Sequence, residues 1–219
     1  MRKQRLLGFS GAILLASAPA GAQTLSGDVR ALSGAPGGQV YGSLTAEKGR
    51  LIVRVTASEK KTYSGNGFRI LHGGNDGEVA LRVPRSGGAF EVGLARPDTA
   101  ERQNQLQGTL RFTTERGRWT LEPRAVFGKG GTLAGVGVRR DSPWGEDRTV
   151  YAELTPILVG KNNRSLSTGN TRRTALWSVG VRRKNMTLGI TNALGATTGM
   201  SLTPQIKGAA IFVRVEVIR

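Results

Sequence analysis

Few residues in this 219-residue chain could carry covalent or metal chemistry. His72 is the sole histidine, and there is no cysteine. A site of two or three histidines, or of thiolates, is therefore beyond a single copy of the chain. A serine triad would have to use His72, which sits beside the turn Gly73-Gly74-Asn75-Asp76-Gly77 and reads better as a loop histidine. Glu146 and Asp147 are adjacent, and the other carboxylates are scattered at turns and among arginines. That scatter suits ion pairing better than a glycosidase dyad. Gly128-Lys129-Gly130-Gly131-Thr132 lacks the spacing and the following helix of a phosphate loop, and a hairpin turn explains it. The expectation is a protein that is not an enzyme, with no cofactor and no bound metal.

Charge is the chemical property that remains. Lys and Arg number 32 against 15 Asp and Glu, for a net +17, and the basic clusters include Lys60-Lys61, Arg139-Arg140, Arg172-Arg173 and Arg182-Arg183-Lys184. No nucleic-acid recognition module is visible, and the leader described below removes most nucleic acid from reach, so no nucleic-acid partner is expected. Basic charge outside the cytoplasm points to lipopolysaccharide phosphates, acidic glycans or anionic solutes. Nine arginines lie opposite the apolar face of their segments: Arg50, Arg54, Arg69, Arg82, Arg111, Arg118, Arg139, Arg182 and Arg214. They are the candidate lumen or anion-facing residues.

The elements that would position them are strands. Ala175, Trp177, Val179 and Val181 alternate with Leu176, Ser178, Gly180 and Arg182. Met186, Leu188 and Ile190 do the same against Thr187, Gly189 and Thr191, as do Ile211, Val213, Val215 and Val217 against Phe212, Arg214 and Glu216. Alternation with a period of two places one side of each segment against an apolar medium and the other against a wetter one. The pattern recurs upstream, for example with Leu51, Val53, Val55 and Ala57 opposite Arg54 and Thr56. Serial hairpins from Gln39 to the end give about 12 strands by the same alternation. Pro123 marks an edge, a bulge or a break in its strand.

Residues 1–22 read as a signal peptide. Met1-Arg2-Lys3-Gln4-Arg5 is a basic start, Leu6 to Ala16 an apolar run, and Ala20-Gly21-Ala22 a small-x-small cleavage pattern. Residues 23–38, rich in Ser, Gly, Ala and Pro, read as a lead-in segment, and 39–219 as a single β-barrel domain. The three longest connections fall after strands five, nine and eleven counted from Gln39, which puts them on one side of an up-and-down sheet. The connection at Glu59 to Gly65 is too long for the opposite side. Placing an unpaired arginine at a bilayer midplane costs about 2–4 kcal/mol, so a membrane barrel must turn its arginines inward. A soluble β-sandwich, periplasmic or secreted and binding acidic glycans or lipid head groups, would show the same alternation.

Serial hairpins behind a leader, a final alternating strand at the chain end, and the stretch Thr191-Asn192-Ala193-Leu194-Gly195-Ala196-Thr197-Thr198 together resemble Gram-negative outer-membrane β-barrel proteins of unassigned activity, over Leu133 to Arg219. The resemblance implies an antiparallel up-and-down barrel in the outer membrane. Its lumen would be a narrow, porin-like pore or packed by its own side chains, and the arginines would favour anions. Outer-membrane lipid and lipopolysaccharide would be its partners.

Overall fold

The computed structural model describes residues 23–32, 39–58, 61–65, 68–72, 75–97, 105–129, 131–164, 171–193, 195–204 and 209–218. The leader, residues 1–22, lies outside them. Among the described residues there are seventeen strands: β1 (Gln23–Leu32), β2 (Gln39–Lys48), β3 (Leu51–Ser58), β4 (Lys61–Gly65), β5 (Phe68–His72), β6 (Asn75–Arg85), β7 (Gly88–Pro97), β8 (Gln107–Arg116), β9 (Trp119–Gly128), β10 (Gly131–Pro143), β11 (Arg148–Thr155), β12 (Ile157–Val159), β13 (Asn163–Arg164), β14 (Thr171–Arg172), β15 (Leu176–Arg183), β16 (Met186–Thr191) and β17 (Ala210–Ile218). One helical turn, α1 (Thr198–Ser201), precedes β17. No described helix is long and apolar enough to cross a membrane, which leaves crossing by strands untouched.

Twelve of these strands, β1, β2, β3, β6, β7, β8, β9, β10, β11, β15, β16 and β17, pair antiparallel with their neighbours in chain order. Pairing of β1 with β17 and of β10 with β11 closes the ring. The fold is therefore an antiparallel barrel, and closure excludes the two-sheet sandwich. A thirteenth strand, β12, continues β11 past Pro156 and pairs with the outer part of β10. β6 and β7 run 11 and 10 residues, within the ~9–11 that a tilted spanning strand requires.

Two segments differ from the sequence expectation. Residues 23–32, expected as lead-in, form β1, which is paired along its whole length with β2 and from Thr24 onward with β17. Leu25 and Val29 point outward and Asp28 inward, but Gly, Ser and Ala around them dilute the alternation. The segment around Arg69, expected in the wall, instead forms β5 and pairs with β4 in a separate hairpin. The two changes offset in number. They also put the Glu59 to Gly65 connection on the same side as every other long connection, which removes the mismatch noted above.

The barrel thus has a turn end and a loop end. At the turn end, tight connections join β2 to β3, β6 to β7, β8 to β9 and β15 to β16, helped by Gly49, Gly87 and Gly117 at positive φ. At the loop end lie the β4–β5 and β13–β14 hairpins and the connection carrying α1. Pro123 sits inside β9, and the β8–β9 register is interrupted between Arg111↔Arg124 and Thr114↔Leu121. A residue without an N–H cannot donate to that ladder.

Inward and outward positions separate cleanly. Leu81, Val92, Leu94, Leu154, Leu188 and Ile211 are among many large apolar residues exposed on the outer face. Arg54, Thr56, Glu78, Glu91, Thr109 and Thr155 are buried on the inner one. An inner face rich in polar residues, with apolar ones such as Leu133 and Leu176 among them, and an apolar outer face depart from the arrangement of a water-soluble domain.

Candidate functional site

The inner face divides into a filled part and a hollow part, and the β16–β17 connection makes the division. Asn192 starts it by imitating a strand. Its side-chain Oδ1 accepts from Trp177 N at 2.7 Å, and its Nδ2 donates to Ala175 O at 3.0 Å. The chain then leaves the wall and folds into the barrel, with an isolated bridge between Ala193 and Pro204 at its neck. Ala196 N donates to Thr56 Oγ1 at 3.1 Å. Gly195 passes so close to the wall that an added Cβ would stand 2.5 Å from Thr56 Oγ1.

One flank of this inward loop is held by two buried carboxylates. Thr197 caps α1 and donates its hydroxyl to Asp76 Oδ2 at 2.6 Å. Thr198 donates both its backbone N–H and its hydroxyl to Glu78 at 2.7 Å, and Thr109 adds a third donor at 2.8 Å. Arg54 stands 3.7 Å from the same carboxylate. Glu78 is thereby satisfied on both oxygens in a dry place, which a buried charge requires. The other flank is apolar. Leu202 is fully enclosed by Val126, Leu133, Ile157 and Leu176, and Asn162 Nδ2 donates to Leu202 O at 2.9 Å.

Beneath the loop lies a cavity of about 630 Å³ that reaches the turn end, where Glu115, Arg118 and Glu216 border it. Its walls are ionic. Arg54 donates to Glu91 at 2.6 Å, Arg82 joins Glu91 at 2.8 Å and also pairs with Glu47. Arg124 bridges Glu122 at 2.5 Å and Glu153 at 2.7 Å, with Arg111 3.3 Å from Glu122. Arg139 and Arg182 share Asp141 at 2.8 and 3.5 Å, and Arg214 meets Asp28 at 3.5 Å. The Arg139 guanidinium also lies 4.3 Å from the Tyr151 ring centre. Every wall strand except β16 contributes a charged residue to these pairs.

Of the nine arginines singled out by alternation, Arg54, Arg82, Arg111, Arg118, Arg139, Arg182 and Arg214 border the cavity. Arg50 does not, because it stands exposed in the β2–β3 turn, where the strand has ended. Arg69 does not belong to the wall at all, since β5 pairs with β4 outside the ring. Arg124 belongs with the seven and shares their inward parity. The larger omission is the carboxylates. Asp28, Glu47, Glu115, Glu122, Asp141, Glu153 and Glu216 border the same cavity, and Glu78 and Glu91 are buried in its wall. Their positions opposite apolar residues were legible, but Glu78, Glu91 and Glu153 meet arginines from other strands, and Glu122 and Asp141 add a cross-strand arginine to the one on their own strand.

Chemically this site can hold charge in fixed places and exclude apolar solutes. Among the described residues no three His, Cys, Asp or Glu side chains are grouped as a metal would need. No protein-family profile matches the sequence, and no curated protein matches it significantly. One solved structure, from work described as unveiling the mechanism behind the in-meso crystallization of membrane proteins, is similar over 90% of this chain and 84% of its own. The identity is 9% and the TM-score 0.47.

Proposed function

We propose that the protein is a non-enzymatic outer-membrane β-barrel whose interior is a salt-bridged well, closed at the loop end by the β16–β17 connection. The observation that carries this is the outer face. Leu81, Leu94, Leu154, Leu188 and Ile211 are each more than half exposed, on strands spread around the ring. A continuous apolar belt of this kind far exceeds the few hundred Å² that soluble monomers expose, and lipid is the medium that matches it. Trp119 and Trp144 lie toward the turn end and Phe127 and Trp177 toward the loop end, all exposed, where interfacial aromatics belong. Keeping the arginines inward avoids about 2–4 kcal/mol for each one that would otherwise face the bilayer midplane.

The well is a narrow passage only when the inward loop withdraws. Eight arginines and seven carboxylates border it, and Glu78 and Glu91 are buried in its wall, so the fixed charges nearly balance and an opened passage discriminates weakly between anions and cations. The test begins with membrane fractionation of the native host. The expected result is retention in the outer-membrane fraction after a carbonate wash, with a gel mobility that changes on boiling. Recovery in the soluble fraction without a heat-dependent shift would overturn the reading. In planar bilayers the folded protein should be closed or of low conductance. Strong selectivity for either sign of ion would refute the passage while leaving the barrel.

A further inference from the structure

Six residues form a border at the turn end of one sector of the wall, where β8, β9, β10, β11 and β15 run side by side. Register places Trp119 between Arg116 on one neighbour and Arg140 on the other. The Arg140 guanidinium lies over the Trp119 ring at 5.4 Å, and that of Arg148 over Trp144 at 5.6 Å. Arg148 faces Arg183 directly across the β11–β15 pair. Trp119, Arg140, Arg148 and Arg183 each lie two residues beyond an outward apolar residue, namely Leu121, Val138, Val150 and Val181. The border therefore marks where the apolar belt ends and polar surroundings begin.

The charge here is not balanced as it is inside the well. Like charges placed directly opposite on a strand pair repel. The carboxylate of Asp147 reaches both members of the facing pair, 2.6 Å from Arg183 and 3.7 Å from Arg148. Glu146 adds a second negative charge in the same turn, whereas Arg116, Arg140 and Lys184 add three positive ones. Guanidinium groups pair with phosphate oxygens through two parallel N–H donors, and indole rings settle at head-group depth.

We propose that this sector binds the head group of an anionic phospholipid in the leaflet at the turn end, with its phosphodiester on the terminal nitrogens of Arg148 and Arg183, whose Nε atoms face Asp147, and its acyl chains along Val150 and Val181. The proposal rests on the outer-membrane barrel reading. Short turns in such barrels face the periplasm, where the leaflet is phospholipid, and this favours a phospholipid over lipopolysaccharide. The excess cation density and the flanking indoles are what single out this sector.

The experiment reconstitutes the full exported chain into phosphatidylcholine vesicles carrying spin-labelled phosphatidylglycerol or spin-labelled phosphatidylcholine. It compares the motionally restricted fraction of each lipid. The wild-type protein should prefer phosphatidylglycerol, and Arg148→Gln and Arg183→Gln should each reduce that preference roughly fivefold. Lys129→Gln, at the loop end, should leave it unchanged, as should free glycerol phosphate in the buffer. A correctly inserted, heat-shifting barrel with no preference, or with a preference that the two arginine variants leave intact, would overturn the lipid site while leaving the barrel. Displacement by glycerol phosphate would show a site for free phosphate and overturn the lipid assignment. A chain that does not insert would refute the barrel reading, and the lipid site with it.

Discussion

Toward the loop end of the interior, Leu202 has no exposed surface and packs on Val126, Leu133, Ile157 and Leu176. Toward the turn end, the inward row includes Arg118, Asp141, Arg182 and Glu216, set around open space. The same strands supply both regions: β10 gives Leu133 to the first and Asp141 to the second, and β15 gives Leu176 and Arg182. Inward parity therefore does not set polarity. What matters is whether something fills the space. At the loop end the chain provides its own filler, so inward residues are chosen to pack on it or to hydrogen-bond it. At the turn end no described segment fills the space, and long charged side chains reach each other along and across strands.

The contrast predicts unequal sensitivity. Glu78→Ala removes the acceptor for Thr109 and for both donors of Thr198, and strips Arg54 of a partner. Leaving buried donors and a buried cation unmatched should cost about 4 kcal/mol, measured by urea unfolding from vesicles. A cost below about 1 kcal/mol would mean that Glu78 does not anchor the inward loop. Leu202→Ala deletes a fully enclosed side chain, and a loss of about 3 kcal/mol is expected on the same scale.

Gly195→Ala separates the loop from the wall. The added methyl meets Thr56, and overpacking of this kind costs about 2 kcal/mol. The heat-dependent gel shift should persist, because the twelve-strand ring is untouched, while protease cleavage within 195–204 and bilayer conductance should both rise. An unchanged cleavage pattern would argue that the wall yields and the loop stays. The smallest effect belongs to the turn end. Arg182 is 41% exposed and 3.5 Å from Asp141, so Arg182→Gln should change stability by about 0.5 kcal/mol or less. A loss as large as that of Leu202→Ala would erase the distinction between the two halves.

Much of the wall was legible because alternation is a local property. Residues such as Val179, Leu188 and Val213 announce their side through their immediate neighbours, and the structure puts all three on the outer face. β1 was obscured because Gly27 stands between Leu25 and Val29, where a larger outward residue would have marked the strand. β5 misled for the opposite reason: Phe68 and Ile70 flank Arg69 as in a wall strand, yet that stretch pairs only with β4. The inward loop gave a weak signal. Thr191 to Thr198 was recognisable as a barrel-like connection, but nothing local says that Thr197 and Thr198 meet Asp76 and Glu78, about 120 residues away.

The sequence by itself determined the class of the fold and which side of most strands faces out, because a period of two survives in any antiparallel sheet, whichever strands are neighbours. Only the tertiary structure decided which twelve segments close the ring, that the last long connection turns inward, and that Arg54, Arg82 and Arg124 are matched by carboxylates on other strands. Those outcomes depend on pairings between residues far apart in the chain. The electrostatic character of the interior is set by the partners brought within a few ångströms, and composition does not contain that information.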